Sequence, residues 1–355
     1  MLPPFSINAR FLNQPLTGVQ RYSWEMLNAL DNLLGPGQAV AYCPRGTKLI
    51  VDWKNIQLKE GGRFTGNLWE QYDLPKLIRG TMLFSPANIG LFIKQHQVVT
   101  IHDTSVFAYP EAYTWTFRLK YKSIYRRMAS VADHIITVSE FSKRELQHWL
   151  KIAPERISVT YEGREHFERI SSDTSVIERL LLGVKPFFIV VGSNSPHKNL
   201  NLVLKANALM DQCRYEIVLI GGDFPSVFQS THMEFAPNIK KAGYLLDEEL
   251  KALFCKASGL VFPSLYEGFG LPLLEAMTCS CPVICADIPS TREVCDKAAL
   301  FFDAKRPDDL AMKLGMILDN PTLVLELKQR GALRSRFFSW TRTAQETKQI
   351  LERYL

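Results

Sequence analysis

The sequence has no uninterrupted apolar run approaching the ~20 residues that a membrane-spanning helix needs. Its start, MLPPFSINARFL, lacks the basic stretch followed by an apolar one that marks a secretory leader. Short-period repeats are absent, and there is no disordered or collagen-like bias, with 46% of residues hydrophobic and 22% charged. Paired C-x2-C spacing is missing too. Four of the seven cysteines crowd into TCSCPVICADIPSTREVC, at 279, 281, 285 and 295, but no histidine lies nearby and CPVICA alternates like a buried strand. These thiols read as small buried hydrophobes, not as metal ligands. The absences together point to a cytosolic globular protein, and at 355 residues two domains are expected.

What is present is unevenly spread. Residues 1–165 hold 20 Lys+Arg against 14 Asp+Glu, whereas residues 166–355 hold 22 of each. The positive excess therefore sits in the first half, which suggests an anionic partner for that half alone. Strand-like apolar runs alternate with helix-like stretches throughout, the pattern of α/β architecture with parallel sheets. VVTIHD, HIITVS, VKPFFIVVGS, YEIVLIGG and GLVFPS read as strands. FRLKYKSIYRRMASVA, SEFSKRELQHWL, NLNLVLKANALM and LDEELKALFCKA read as helices between them. The polar stretch at 166–186 reads as the linker, which gives a first domain over 1–170 and a second over 175–340. Two such domains facing one another would hold a ligand at the carboxyl ends of their strands.

FPSLYEGFGLPLLEAM, residues 262–277, places Glu267 and Glu275 on either side of a glycine turn. Two glycines permit positive φ and close backbone approach, and Pro272 suits the first turn of a helix. The free N–H groups of that helix would face the cleft, a site for a phosphate. Paired carboxylates also suit glycoside hydrolysis, but a phosphate-binding turn does not serve that chemistry. A dinucleotide fingerprint fails because position 273 is Leu. VGSNSPHKNL is not a Walker loop, since the second glycine and the Ser/Thr after Lys198 are missing.

Taken together, SLYEGFGLPLLEAMTCSCPVICADIPSTREV resembles the donor-site signature of glycosyltransferase family 4, the retaining transferases of the GT-B fold. LTGVQRYSWEMLNAL, TIHD, VSEFSKREL, VGSNSPHKNL, GYLLDEELKALFCKA and FSWTRTAQET occupy the family's expected order. The resemblance implies two Rossmann-like domains across a cleft, with a C-terminal helix at 341–355 returning to the acceptor-side first domain. It implies that Glu275 bonds the ribose of a nucleotide sugar and Glu267 the hydroxyls of the transferred sugar. Backbone groups of Gly268, Phe269, Gly270 and Leu271 would contact sugar and phosphate, and Tyr244 with the Leu245 backbone would hold the base. Thr17 and Gly18 would bring a second helix N-terminus to the diphosphate. Lys198 matches the family's phosphate-binding lysine, but Ser193 stands where the family usually has an arginine. His102 would face the reacting carbon as a neutral imidazole, titrating near 6.5 if unperturbed; Asp103 beside it would orient it or cap the next segment.

There is no D-x-D pair in the chain, and with helix N-termini and Lys198 available, transfer without metal or cofactor is expected. The overall flavour is that of bacterial mannosyltransferases of surface-polysaccharide assembly, with GDP-mannose as the first expectation for the donor. The partners expected are a nucleoside-diphosphate sugar and a glycan or lipid-linked acceptor, not nucleic acid. The cationic helix around 117–128 reads either as a solvated face or as a dock on anionic lipid. A GT-B sugar-nucleotide epimerase and a degenerate nucleotide-sugar-binding protein remain as alternatives, separable by acceptor-dependent release of nucleoside diphosphate.

Overall fold

The computed structural model describes residues 4–47, 51–222 and 235–355. Among them, Val- and Ile-rich runs form two sheets in which every recorded pairing is parallel. The first sheet comprises β1 (Phe5–Asn8), β2 (Ala39–Pro44), β3 (Ile56–Gly61), β4 (Leu83–Ser85), β5 (Gln97–Thr100), β6 (His134–Thr137) and β7 (Ile157–Val159). The second comprises β8 (Phe187–Val191), β9 (Glu216–Ile220), β10 (Ile239–Gly243), β11 (Gly259–Phe262), β12 (Val283–Ala286) and β13 (Ala299–Phe302). Central strands such as β11 and β12 are buried along their whole length, as strands covered by helices on both faces must be.

Strand order is β3-β2-β1-β4-β5-β6-β7 in the first sheet and β10-β9-β8-β11-β12-β13 in the second. Each order reverses direction once, between β1 and β4 and between β8 and β11. Ligands of doubly wound sheets bind in the crevice outside the strand ends at such a reversal. The loops that leave β1, β4, β8 and β11 are therefore the places to look for chemistry.

The helices used below are α1 (Gly18–Asp31), α2 (Trp115–Val131), α3 (Glu140–Leu150), α4 (Glu165–Arg169), α5 (Leu200–Ala208), α6 (Leu271–Thr278) and α7 (Trp340–Glu352). Contacts divide the chain into two compact units, one of Met1–Thr104, Leu119–Gly163 and Ser339–Leu355, the other of Ser105–Arg118 and Arg164–Phe338. The break falls at 163/164, where the sequence suggests 170/175, and Ser105–Arg118 groups with the second unit. The segment 166–186 does not begin as a linker, because His166 and Phe167 are buried in α4.

In the first unit, α7 packs on α1. Ser339 caps it by accepting the Arg342 amide, and the almost fully buried Trp340 meets Tyr22 edge to face at 5.9 Å. Gly163 makes the approach possible, since a Cβ there would lie 2.0 Å from the Trp340 amide nitrogen. At the far end of α7, the Tyr354 hydroxyl pairs with His134 Nδ1 at 2.9 Å.

Candidate active site

In the second unit the loops after β8 and β11 are tied together at the sheet's reversal. Leu265 donates its amide to the His197 carbonyl at 2.8 Å, and Asn199 donates its side-chain amide to the Pro263 carbonyl at 3.1 Å. Lys198 Nζ then reaches Glu267 Oε1 at 2.6 Å, both side chains being mostly buried. The phosphate-type lysine and the first glutamate of the motif are thus one ion pair. Ser193, in the same loop as Lys198, shares a hydroxyl contact with Ser195 at 3.2 Å.

From Glu267 the chain passes through Gly268 and Phe269 to Gly270, whose φ of 102° turns it into α6. A Cβ at Gly270 would stand 2.8 Å from Leu273 Cδ1, so glycine is required there on two counts. Phe269 is buried and packs edge to face on Phe338 at 5.5 Å, fixing the turn. Leu271 opens the helix and Pro272 follows in its first turn, where a missing N–H is harmless. Pro272 has no N–H and the Leu273 amide bonds the Gly270 carbonyl at 2.9 Å, so it is the positive end of the α6 dipole, at the sheet reversal, that favours an anion.

Glu275 lies in the second turn of α6 and is buried. His166 Nε2 lies 3.0 Å from Glu275 Oε1, with side-chain exposures of 3% and 8%. A carboxylate only accepts, so Nε2 carries the proton and one glutamate oxygen is committed to the histidine. The other oxygen is the one left for a ligand hydroxyl. His166 escaped the sequence reading because it lies 109 residues from its partner and in no motif.

An open cavity of about 280 Å³ adjoins the carboxyl ends of β8, β9 and β10, lined among others by Asn194, Gly221, Phe235, Lys241 and Gly243. Lys241 Nζ stands 3.7 Å over the Phe235 ring there. Tyr244 and Leu245, expected to hold a base, follow directly on β10; the Tyr244 side chain is 66% exposed and Leu245 is buried. Neither lines the cavity among the residues described. Asn194 and Lys241 are the polar lining that sequence reading missed, since neither belongs to a dense motif. Tyr109 packs near Tyr266 at 5.7 Å and Tyr113 lies parallel to His197 at 6.0 Å, which is why Ser105–Arg118 clusters with this unit.

Gly18 and His102 belong to the first unit. Gly18 opens α1, and no other heavy atom lies within 4 Å of where its Cβ would be. Thr17 precedes it as N-cap, but its hydroxyl bonds the Gln20 side chain instead of a helix amide. His102 follows β5, 5% exposed, with Nε2 3.1 Å from the Pro86 carbonyl and its ring edge to face with Tyr22 at 4.6 Å. A carbonyl only accepts, so the neutral imidazole carries its proton on Nε2 and presents Nδ1 as acceptor. Burial pushes the His102 pKa down to about 4, only partly opposed by the Pro86 bond. The expectation of a titration near 6.5 is corrected accordingly: His102 is neutral throughout the neutral pH range.

The cysteine cluster consists of free thiols, with Cys281, Cys285 and Cys295 buried and Cys279 half-buried. Burial pushes the Cys281 thiol up to about 12, so it is protonated and inert. Among the described residues no group of three His, Cys, Asp or Glu side chains is arranged to hold a metal ion.

Residues 176–334 match the family described as glycosyl transferases group 1, and residues 70–166 match glycosyltransferase family 4. The chain is a glycosyltransferase that carries both of these regions. This glycosyltransferase is 27% identical to O-antigen chain mannosyltransferase B of Escherichia coli, over 95% of this chain and 96% of that protein. It is 25% identical to O-antigen chain mannosyltransferase RfbU of Salmonella typhimurium, over 85% and 87%. Among solved structures, sucrose-phosphate synthase from Thermosynechococcus elongatus superposes with a TM-score of 0.78 at 17% identity, covering 99% of this chain and 98% of that one. WaaG, a glycosyltransferase involved in lipopolysaccharide biosynthesis, gives 0.72 at 14%, covering 98% and 99%. The transferase thus has the GT-B fold, and the glycine-turn helix at the β8/β11 reversal lies in the half that matches group 1.

Proposed function

We propose that this glycosyltransferase moves mannose from GDP-mannose to a hydroxyl of a growing bacterial surface polysaccharide, with retention of anomeric configuration and without a metal ion. The observation that carries the reading is the construction around α6. The N-terminus of α6, the Lys198–Glu267 pair and the buried Glu275 stand at one sheet reversal, matching the three parts of a nucleoside-diphosphate sugar. The α6 N-terminus and Lys198 would take the diphosphate and supply the charge stabilisation otherwise given by a metal. Glu267 would bond the sugar, and the free oxygen of Glu275 the ribose. The Asn194–Lys241 cavity is the place in this unit for the base. Donor identity follows the two O-antigen mannosyltransferases to which the chain aligns over most of its length.

The two carboxylates of the motif are not free nucleophiles: Glu267 is paired with Lys198 and Glu275 with His166. Attack on the face of the departing diphosphate, with the phosphate oxygen taking the acceptor proton, fits this arrangement. In the first unit, the neutral imidazole of His102 would offer Nδ1 to a sugar hydroxyl without adding positive charge. Among the described residues no helix is long and apolar enough to cross a membrane. The cytoplasmic face of the membrane is the proposed setting, with α2 as the contact, since Trp115 and Leu119 are exposed among Arg118, Lys120, Lys122, Arg126 and Arg127.

A thermal-shift screen of nucleotide sugars tests the donor reading. GDP-mannose and GDP should raise the melting temperature, and UDP-sugars should not. Stabilisation by UDP-glucose alone would reassign the donor, and stabilisation by none would remove the nucleotide-sugar site.

A further inference from the structure

The reversal of the first sheet, between β1 and β4, carries a polar cluster that the donor reading does not use. Asn8 ends β1, Arg10 opens the turn after it, and Glu70 lies in a π-helical turn, Trp69–Asp73. That turn is held in place by Trp69, fully buried and donating its indole N–H to the Gly61 carbonyl at 2.7 Å. A π-turn admits one extra residue and re-aims the side chains around it, a device frequent at functional sites. Here it delivers a carboxylate to the carboxyl edge of the central strand.

The cluster is buried and incompletely satisfied. Asn8 donates to Glu70 Oε1 at 2.9 Å and to the Ile89 carbonyl, in the loop after β4, at 3.3 Å. Arg10 Nε sits 2.9 Å from the same Glu70 oxygen, with side-chain exposures of 12% and 2%. Close as it is, the Arg10 Nε–H is not aligned on that oxygen and has no hydrogen-bond acceptor, and Glu70 Oε2 has no donor, among the described residues. An unmet donor and an unmet acceptor thus adjoin at the sheet reversal. Native structures rarely leave such groups unpaired, because each costs its full desolvation. Burial raises the Glu70 pKa above the usual carboxylate range, and Arg10, Asn8 and Lys120 oppose that rise only in part.

A hydroxyl group satisfies both atoms at once, accepting from Arg10 Nε–H and donating to Glu70 Oε2. Neither a phosphate, which brings no donor, nor an apolar group would do so. Tyr121 on α2 feels the charges of both Arg10 and Glu70, which places it near the cluster. We propose that Asn8, Arg10 and Glu70 form a subsite for a hydroxyl of the acceptor sugar, with Glu70 as the group that selects it. The inference rests on the glycosyltransferase reading and adds to it the residues that read the acceptor.

The test uses the full-length protein with GDP-mannose as donor and octyl α-mannoside as acceptor. Arg10→Lys keeps a cation beside Glu70 but removes the Nε–H. It should raise the acceptor KM by about 10- to 100-fold, the worth of a hydrogen bond to a charged group. GDP should still shift the melting temperature of the variant as it does that of the wild type. Glu70→Gln, which cannot accept as a carboxylate does, should raise the acceptor KM in the same range. An unchanged acceptor KM in both variants would overturn the subsite while leaving the transferase reading standing. Wild-type protein that releases no GDP with octyl α-mannoside, although GDP binds it, would overturn the acceptor assignment and the subsite with it. Should the variants not fold, the wild type decides: titrating octyl α-mannoside should shift the Arg10 Nε–H resonance in nitrogen-15 NMR, and a resonance that does not move would overturn the proposal.

Discussion

Acidification should unfold this protein in a way that can be assigned to His102. The unfolded imidazole takes its proton near 6.5, whereas the buried one holds out to about 4. Between those values the unfolded chain binds more protons, so stability is complete above pH 6.5 and falls as pH drops. For a single group with these two pKa values the loss is about 2 kcal/mol by pH 5 and about 3 kcal/mol below pH 4. His134 acts in the same direction, since burial and the charges of Arg353, Arg156 and Lys143 lower its pKa to about 4 as well. His102→Gln removes one of the two titrations and keeps a donor for the Pro86 carbonyl. Urea unfolding at pH 7 and pH 5 should show the wild type losing about 2 kcal/mol more than the variant between the two conditions. Equal losses would mean that His102 is not held neutral by burial. The same reasoning predicts that transfer by the native protein does not decline through pH 6.5 on account of this residue.

Four further outcomes follow from the site. Glu275→Ala should weaken GDP binding about tenfold or more, whereas Glu267→Ala should leave GDP affinity nearly intact and lower turnover; titration calorimetry with GDP separates them, and equal effects would refute the division of roles. His166→Phe should weaken GDP binding in the same direction as Glu275→Ala, because the carboxylate loses the donor that orients it; unchanged affinity would make the pair purely structural. His102→Ala should cut turnover by about 10²-fold while GDP still binds, and near-wild-type turnover at saturating donor would make the residue structural. Gly163→Ala should cost more than about 2 kcal/mol in a thermal melt, since its Cβ has no room beside the Trp340 amide.

The fold was legible because its strands advertise themselves. Runs such as FFIVV and GLVF are apolar on both faces, as only a strand covered by helices on both sides can be, and glycine or proline marks their ends. The donor motif was legible for a related reason: turn, helix start and both glutamates are contiguous, so local chemistry dictates local geometry. What escaped is what long-range packing decides. His166 meets Glu275 across 109 residues, and Asn8 meets Glu70 across 62. The π-turn at Trp69–Asp73 has no periodicity that distinguishes it from an ordinary helix. The pKa of His102 depends on how completely Tyr22 and its neighbours bury it, which no spacing reveals.

The central claim is retaining, acceptor-dependent mannosyl transfer, and proton NMR of the reaction tests it most directly. Purified protein, GDP-mannose and octyl α-mannoside are combined with excess EDTA, and the anomeric proton of the product is followed together with GDP release. The account predicts GDP formed in step with an α-linked disaccharide, at a rate that EDTA does not change. A β-linked product, GDP released without acceptor consumption, or a reaction abolished by EDTA and restored by a divalent cation would contradict it.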